Sequence, residues 1–278
     1  NHGSNEQILI DAFSASLKET KAGISIQPVF HDTQQSAAEA FQLGKVPFAV
    51  VRPDIVLPNN GLTVAILREE ALIFAAPSAP AARKITDIAE LNGKRLALVD
   101  MIEPDRALLM RVLSSYDLNE KDVRFVQTTA TQIPNLVQTR QIDAIVFVAE
   151  PVSPEAGQIV RHYARAVGSE INILPVDNAQ VLSLRMPVYS EIKIPQGAFG
   201  GRPKKPVEEL STIGVSYRLM ASSRLDRQPV SEVTAQLFRL RSRMANATAT
   251  INLLKAPDTD SATSAALPVH PGAVDYLN

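Results

Sequence analysis

Two rounds of helix–strand alternation, separated by a proline-rich break, constrain this chain more than any other feature of its sequence. In the first round, "EQILIDAFSASLKET" places Ile8, Leu9, Ala12, Phe13 and Leu17 at helical spacing, with Gly23 just beyond. The β-branched run "ISIQPVF" predicts a strand, and "TQQSAAEAFQLG" an Ala-rich helix ended by Gly44. "PFAVVRPDI" predicts a buried strand whose carboxyl end falls at Arg52, Pro53 and Asp54, and "LTVAILREEALIFAAP" predicts two adjacent strands. Apolar strands interleaved with helices imply a mixed, mostly parallel sheet flanked by helices, an α/β class.

The break is the Pro/Ala/Ser stretch that opens "APSAPAARKITDIAELNGKRLALVD". The order then restarts. A short helix, a turn at Asn92-Gly93 and the strand "KRLALVD" lead into the amphipathic helix "DRALLMRVLSSYDL". The strand "VRFVQTT", the helix "TQIPNLVQTRQI", the buried strand "DAIVFVAEP", a helix stopped by Gly168 and the strand "INILPVD" follow. After about residue 185 the chain reads as irregular and Pro/Gly-rich through "IPQGAFGGRPKKP". The strand "TIGVSYRLMAS" and the helix "VSEVTAQLFRLRSRMANAT" lie outside the second round, and the simplest layout returns them to the first. The predicted architecture has two lobes, 1–77 with 192–278 and 78–191, joined by two hinge crossings. In such a fold the ligand binds in the cleft at the carboxyl ends of the parallel strands.

Composition narrows the function. A chain of 278 residues is long for one core and natural for two lobes. Its 28 basic and 29 acidic side chains leave 28 − 29 = −1, so no bulk field favours nucleic acid. The absence of cysteine excludes disulfides, thiolate catalysis and Cys-based zinc sites, and suits a periplasmic location. No run of about 18 apolar residues spans a membrane. The four histidines, His2, His31, His162 and His270, show no metal-ligand spacing, and neither a G-x-S-x-G elbow nor a Walker loop is present. The expectation is therefore no catalytic residue, no metal and no cofactor.

Four stretches in order resemble the TAXI family of TRAP-transporter solute-binding proteins: "ITDIAELNGKRLAL", "LVQTRQIDAIVFVAEP", "IPQGAFGG" and the closing "LPVHPGAVDYL". The resemblance covers nearly the whole chain. It implies a monomeric periplasmic receptor of periplasmic-binding-protein type II fold that closes on a small carboxylate or amino acid. Such a receptor delivers its ligand to membrane transporter subunits. Members begin with a strand and a Gly-rich loop; here the strand is missing from lobe one, and "NHGSNEQ" stands where the loop ends. Some relatives continue past the end motif into a membrane segment, which predicts an anchor beyond Asn278. A membrane-tethered sensor of the same fold, or an enzyme built on it, are the alternatives.

Candidate ligand contacts follow from strand ends and helix starts. His2, Gly3, Ser4 and Asn5 occupy the loop before the first helix, where free N–H groups and the helix dipole suit an anion; Ser4 or Asn5 could equally cap that helix. Thr33, Gln34 and Gln35 precede the second helix in the same way. Arg52 can offer a carboxylate a bidentate fork, or pair with Asp54. In lobe two, relatives carry a Gly-Ser-Gly-Thr-like cradle where this chain has Glu103, Pro104, Asp105 and Arg106. Acids there repel a carboxylate, so either Arg106 takes the anion or the ligand brings a cationic or hydroxyl group to Glu103 or Asp105. Glu150 ends a strand, and Tyr189 and Phe199 match the family's aromatic positions. His270, between Pro268 and Pro271, reads as a hydrogen-bonding corner residue, with Val274 or Tyr276 packing the final turn.

Overall fold

A helix begins where a side chain can satisfy the first free N–H groups, and this chain does so at Ser4. Ser4 is extended, and its Oγ accepts the Gln7 N–H at 3.2 Å, starting α1 (Asn5–Glu19). The computed structural model describes residues 4–261 and 264–278; the predicted contacts His2 and Gly3 lie outside the described residues. Thr33 repeats the device at α2 (Gln34–Gln42), its Oγ1 accepting the Ser36 N–H at 3.0 Å. The segment 24–30 between these helices is extended and half-buries every second side chain, but it joins no ladder, so the strand expected there is absent. Val29 and Phe30 stay exposed, and the segment is held from the side, where Ser14 Oγ donates to the Ile26 carbonyl.

β1 (Phe48–Val51) is followed by β2 (Gly61–Pro77), a single strand of 17 residues where two were expected. The charged triplet Arg68-Glu69-Glu70 does not break it, because these charges are matched within the fold. Arg68 bonds Glu6 at 2.5 Å and lies 3.8 Å over the Tyr217 ring, and Glu69 pairs with Lys255.

Next come β3 (Arg95–Val99), α3 (Glu103–Ser114), β4 (Arg124–Thr128), α4 (Ile133–Gln138), β5 (Ala144–Ala149), α5 (Pro154–Val167) and β6 (Ile171–Leu174). α6 (Ala179–Arg185), β7 (Ser190–Ile194), the small hairpin β8 (Gly200–Gly201) and β9 (Lys204–Lys205), and β10 (Leu210–Ser222) complete the excursion. Thus the stretch after residue 185, read as irregular, contains a strand. "SEIKI" finds its partner in β10, with Leu210 opposite Ile194 and Gly214 opposite Ser190. The chain closes with α7 (Arg227–Arg239), α8 (Arg241–Met244) and α9 (Pro271–Leu277).

The sheet is mixed, and its parallel part is smaller than expected. β3 pairs in parallel with β4 and with β5. β2 pairs antiparallel with β5 and β6, and β10 antiparallel with β1 and β7. Helical crossovers make β3, β4 and β5 parallel, whereas the two long strands run against their neighbours. β3 and β5 are buried on both faces, which is why they read as unbroken apolar runs.

The chain divides into two compact units, Asn1–Glu69 with Val215–Asn278, and Glu70–Gly214. Expectation put the crossings at 77/78 and 191/192; the units change within β2 and within β10. The core of the first unit gathers Leu9, Phe13 and Leu17 of α1, Val64 and Leu67 of β2, and Val230 and Leu237 of α7. That of the second gathers Ile73, Ile145, Phe147, Val160 and Tyr163, with Phe199. Each fully buried Leu, Ile or Phe contributes about 1.5–3 kcal/mol of transfer free energy.

Candidate functional site

In the first unit the polar positions singled out in the sequence fall at helix starts and at the end of β1. Ser4 and Thr33 cap their helices, and Asn5 opens α1. Gln34 is tied to the end of β1, its Oε1 accepting the Arg52 N–H at 3.3 Å, while Gln35 is exposed beside it. Arg52 is 1 % exposed. Its Nε and Nη2 donate to the two oxygens of Asp54, each at 2.9 Å, so the fork that could take a carboxylate faces Asp54 instead. Sequence reasoning overlooked Arg68 and Tyr217, which join Glu6 in the first turn of α1. The signal was present, since Arg68 is a charge inside a strongly apolar strand.

In the second unit the carboxyl ends of β5, β3 and β4 lie side by side, the place where an open α/β sheet offers a ligand site. Glu150 follows β5 and is half-buried. Asp100 follows β3 in the left-handed region, at φ 50, and its Oδ2 accepts the Ala130 N–H at 3.0 Å beyond β4. This brace between two strand ends was missed because nothing in the sequence marks a left-handed aspartate. Glu103 is exposed and opens α3, Pro104 sits in the first turn, and Asp105 is buried. Arg106 turns elsewhere: it bonds Glu120 at 3.1 Å and lies 5.5 Å over the ring of Phe125, near the start of β4. From Phe125 to the far end of β4 is about 10 Å at 3.3 Å per residue, so this guanidinium is not at the carboxyl edge. Tyr189 is half-buried in the turn after α6. Phe199 is 3 % exposed and packs in the core of its unit, so its ring is a packing element. In the second unit Asp100 follows β3, Glu150 follows β5 and Glu103 opens α3, each a short way beyond the carboxyl end of a strand, whereas Arg106 and Phe199 lie elsewhere.

The His-Pro-Gly corner is structural. His270 Nδ1 accepts the Gly272 N–H at 3.0 Å, capping α9, and the ring is 1 % exposed. Gly272 is obligatory, because a Cβ there would lie 2.2 Å from the Arg227 carbonyl oxygen. Tyr276 stacks on Phe238 at 6.1 Å, fixing the last turn on α7. Burial pushes the His270 pKa below its usual 6.5, partly countered by backbone bonds at Leu225 and Ser222. The folded state therefore favours the neutral ring, while the unfolded chain takes up a proton as the pH falls past 6.5. Stability from this group is complete above that pH, declines below it and levels off under the folded-state pKa. Thermal unfolding followed between about pH 7.5 and pH 5 should show this loss, and His270→Asn, a cap that does not titrate, should flatten it. An unchanged pH slope in that variant would rule out His270 as the source.

A model of the NMT1-like family matches residues 61–278, well over half of the chain. The chain belongs to the NMT1-like family. No curated protein matches it. Solved structures resemble this NMT1-like chain in fold. Xanthomonas citri XAC2383 bound to ATP is 11% identical, with TM-score 0.54, over 98% of this chain and 94% of that one. The periplasmic aliphatic sulphonate binding protein SsuA of Escherichia coli is 16% identical, with TM-score 0.45, over 99% of this chain and 75% of that one. The fold is α/β, a mixed sheet with flanking helices, and is shared with XAC2383. Among the described residues of the NMT1-like chain no cluster of acidic residues and histidines could hold a metal ion, and no helix is long and apolar enough to cross a membrane.

Proposed function

We propose that this chain is a periplasmic solute-binding receptor of the TAXI kind, which captures a small polar solute by hinge closure and passes it to a TRAP-type transporter. The observation that carries the reading is the edge formed by the carboxyl ends of β5, β3 and β4, with Glu150 following β5, Asp100 following β3 and Glu103 opening α3. The family membership and the order of the end motifs support it. The acidic edge, with Arg106 turned to Glu120, favours a ligand that brings an ammonium or hydroxyl group to the second unit. With the carboxylate that the family resemblance implies, this describes an amino acid or a hydroxy acid. In the first unit, the starts of α1 and α2 carry Asn5, Gln34 and Gln35, polar groups suited to an anion.

A thermal-shift screen of amino acids, hydroxy acids, dicarboxylates and keto acids, with native mass spectrometry of hits, tests this. The expected result is a saturable rise in Tm with an amino or hydroxy acid. Glu103→Gln with Glu150→Gln should weaken that binding by tenfold or more. A screen without a binder overturns the receptor reading. Binding confined to dicarboxylates overturns the assignment of a cationic or hydroxyl group to the acidic edge.

A further inference from the structure

The other end of the same strands carries a second feature of opposite sign. Where β3 and β5 begin, the second unit has an open recess of about 430 Å³. Its walls come from the segment after β2, the start of β3, the turn between α4 and β5, and the end of α5. Four cationic side chains line it, Arg83, Lys94, Arg95 and Arg140, against one carboxylate, Asp143.

Arg95 and Asp143 neutralise each other. Arg95 Nε donates to Oδ2 at 2.9 Å and Nη2 to Oδ1 at 2.7 Å, and the Arg95 backbone N–H adds a third bond to Oδ2 at 2.8 Å. The remaining nitrogen, Nη1, donates to the Arg140 carbonyl, and the Tyr163 hydroxyl donates to the Asp143 carbonyl at 3.0 Å. This rigid floor leaves Arg83, Lys94 and Arg140 with no ion pair of their own among the described residues. Three unmatched cations at one concavity stand out in a chain whose net charge is −1. Like charges gathered in a recess repel one another unless an anion enters.

Arg140 strengthens the case. It sits at φ 54 just after α4, a position where glycine or asparagine is favoured and where any other residue costs about 1 kcal/mol. The fold nonetheless carries an arginine there and clamps its carbonyl from Arg95, which aims a long cationic side chain from a fixed backbone. The cavity lies within the range of about 300–1,000 Å³ usual for small-molecule sites, and guanidinium groups recognise anionic oxygens by bidentate bonds.

We propose that this cavity is a binding site for a small polyanion, a phosphate ester or a polycarboxylate, held by Arg83, Lys94 and Arg140. It lies at the amino ends of β3 and β5, about 15 Å of strand away from Glu150 and Glu103 at 3.3 Å per residue, and does not depend on the reading of that edge.

Isothermal titration calorimetry with pyrophosphate and with citrate at low salt tests the proposal. At least one probe should bind with one-to-one stoichiometry, and preference between them assigns the ligand to the phosphate or the carboxylate class. The double variant Lys94→Gln with Arg140→Asn, in which asparagine tolerates the left-handed backbone, should weaken binding by tenfold or more. Lys121→Gln, an exposed cation outside the cavity, should change it by less than twofold. Glu103→Gln and Glu150→Gln should leave it unaltered, which separates a failure here from a failure at the acidic edge. Absence of saturable binding by both probes overturns the site, as does equal weakening by Lys121→Gln. So does an aspartate-rich peptide that binds more tightly and is not displaced by either probe.

Discussion

Replacing Asp54 with alanine is expected to destabilise the protein by about 3 kcal/mol, because it removes the two-pronged partner of a guanidinium that is 1 % exposed. The two side chains are 2% and 1% exposed, and both prongs of their contact are 2.9 Å long. Arg52→Met should cost a similar amount by leaving the Asp54 carboxylate uncompensated. The pair replaced together, Arg52→Met with Asp54→Leu, should lie much closer to the parent, since apolar groups of similar volume avoid the desolvation penalty altogether. Urea unfolding of the four proteins gives the coupling energy directly. A loss below about 1 kcal/mol for Asp54→Ala would mean that water reaches the pair. The same cycle bears on function. A fork held by Asp54 is not open to a ligand carboxylate, so the parent's affinity for carboxylates should not depend on Arg52 in the way that a contact residue's would.

Much of the second unit could be read directly from its sequence. Its elements alternate, α5 carries a Ser153 cap and ends at the left-handed Gly168, and its central strands are apolar almost throughout. These signals are local. The failures arise where the deciding interaction is distant in sequence. Segment 24–30 has the composition of a strand but finds no ladder. "SEIKI" looks unremarkable until β10 returns to pair with it. The triplet Arg68-Glu69-Glu70 imitates a turn, and only Glu6, Tyr217 and Lys255, from three other segments, show why the strand continues.

The candidate sites were legible to a similar degree. Strand ends could be located, so Glu150, Glu103 and Arg52 were placed at edges from sequence alone. Which way a side chain turns could not be. Arg106 leaves the edge for Glu120 and Phe125, and Phe199 joins the core. The basic cavity was invisible for the same reason, since Arg83, Lys94 and Arg140 come from three separate segments and none forms a motif. His270 was legible because proline on either side and the glycine after it define a helix start, and the imidazole proved to be its cap.

Gly214→Ala should be strongly destabilising. Gly214 lies within β10, and a Cβ built there would stand 2.0 Å from the Glu70 carbonyl oxygen and 2.4 Å from the Ile192 side chain. Ile192 could rotate aside, but Glu70 belongs to β2 and its carbonyl cannot move without displacing that strand. Such overpacking costs about 1–3 kcal/mol where side chains can yield, and more where backbone must shift, so a loss of about 3 kcal/mol or greater is expected. A glycine inside a strand marks such a close approach. Gly201→Ala is the matched control, since nothing lies within 4 Å of a Cβ at that position. Thermal unfolding should show a fall of several degrees or more for Gly214→Ala and none for Gly201→Ala, with ΔH at the midpoint retained in the control. Equal Tm values for the two variants would show that β2 and β10 pass each other more loosely than these distances state.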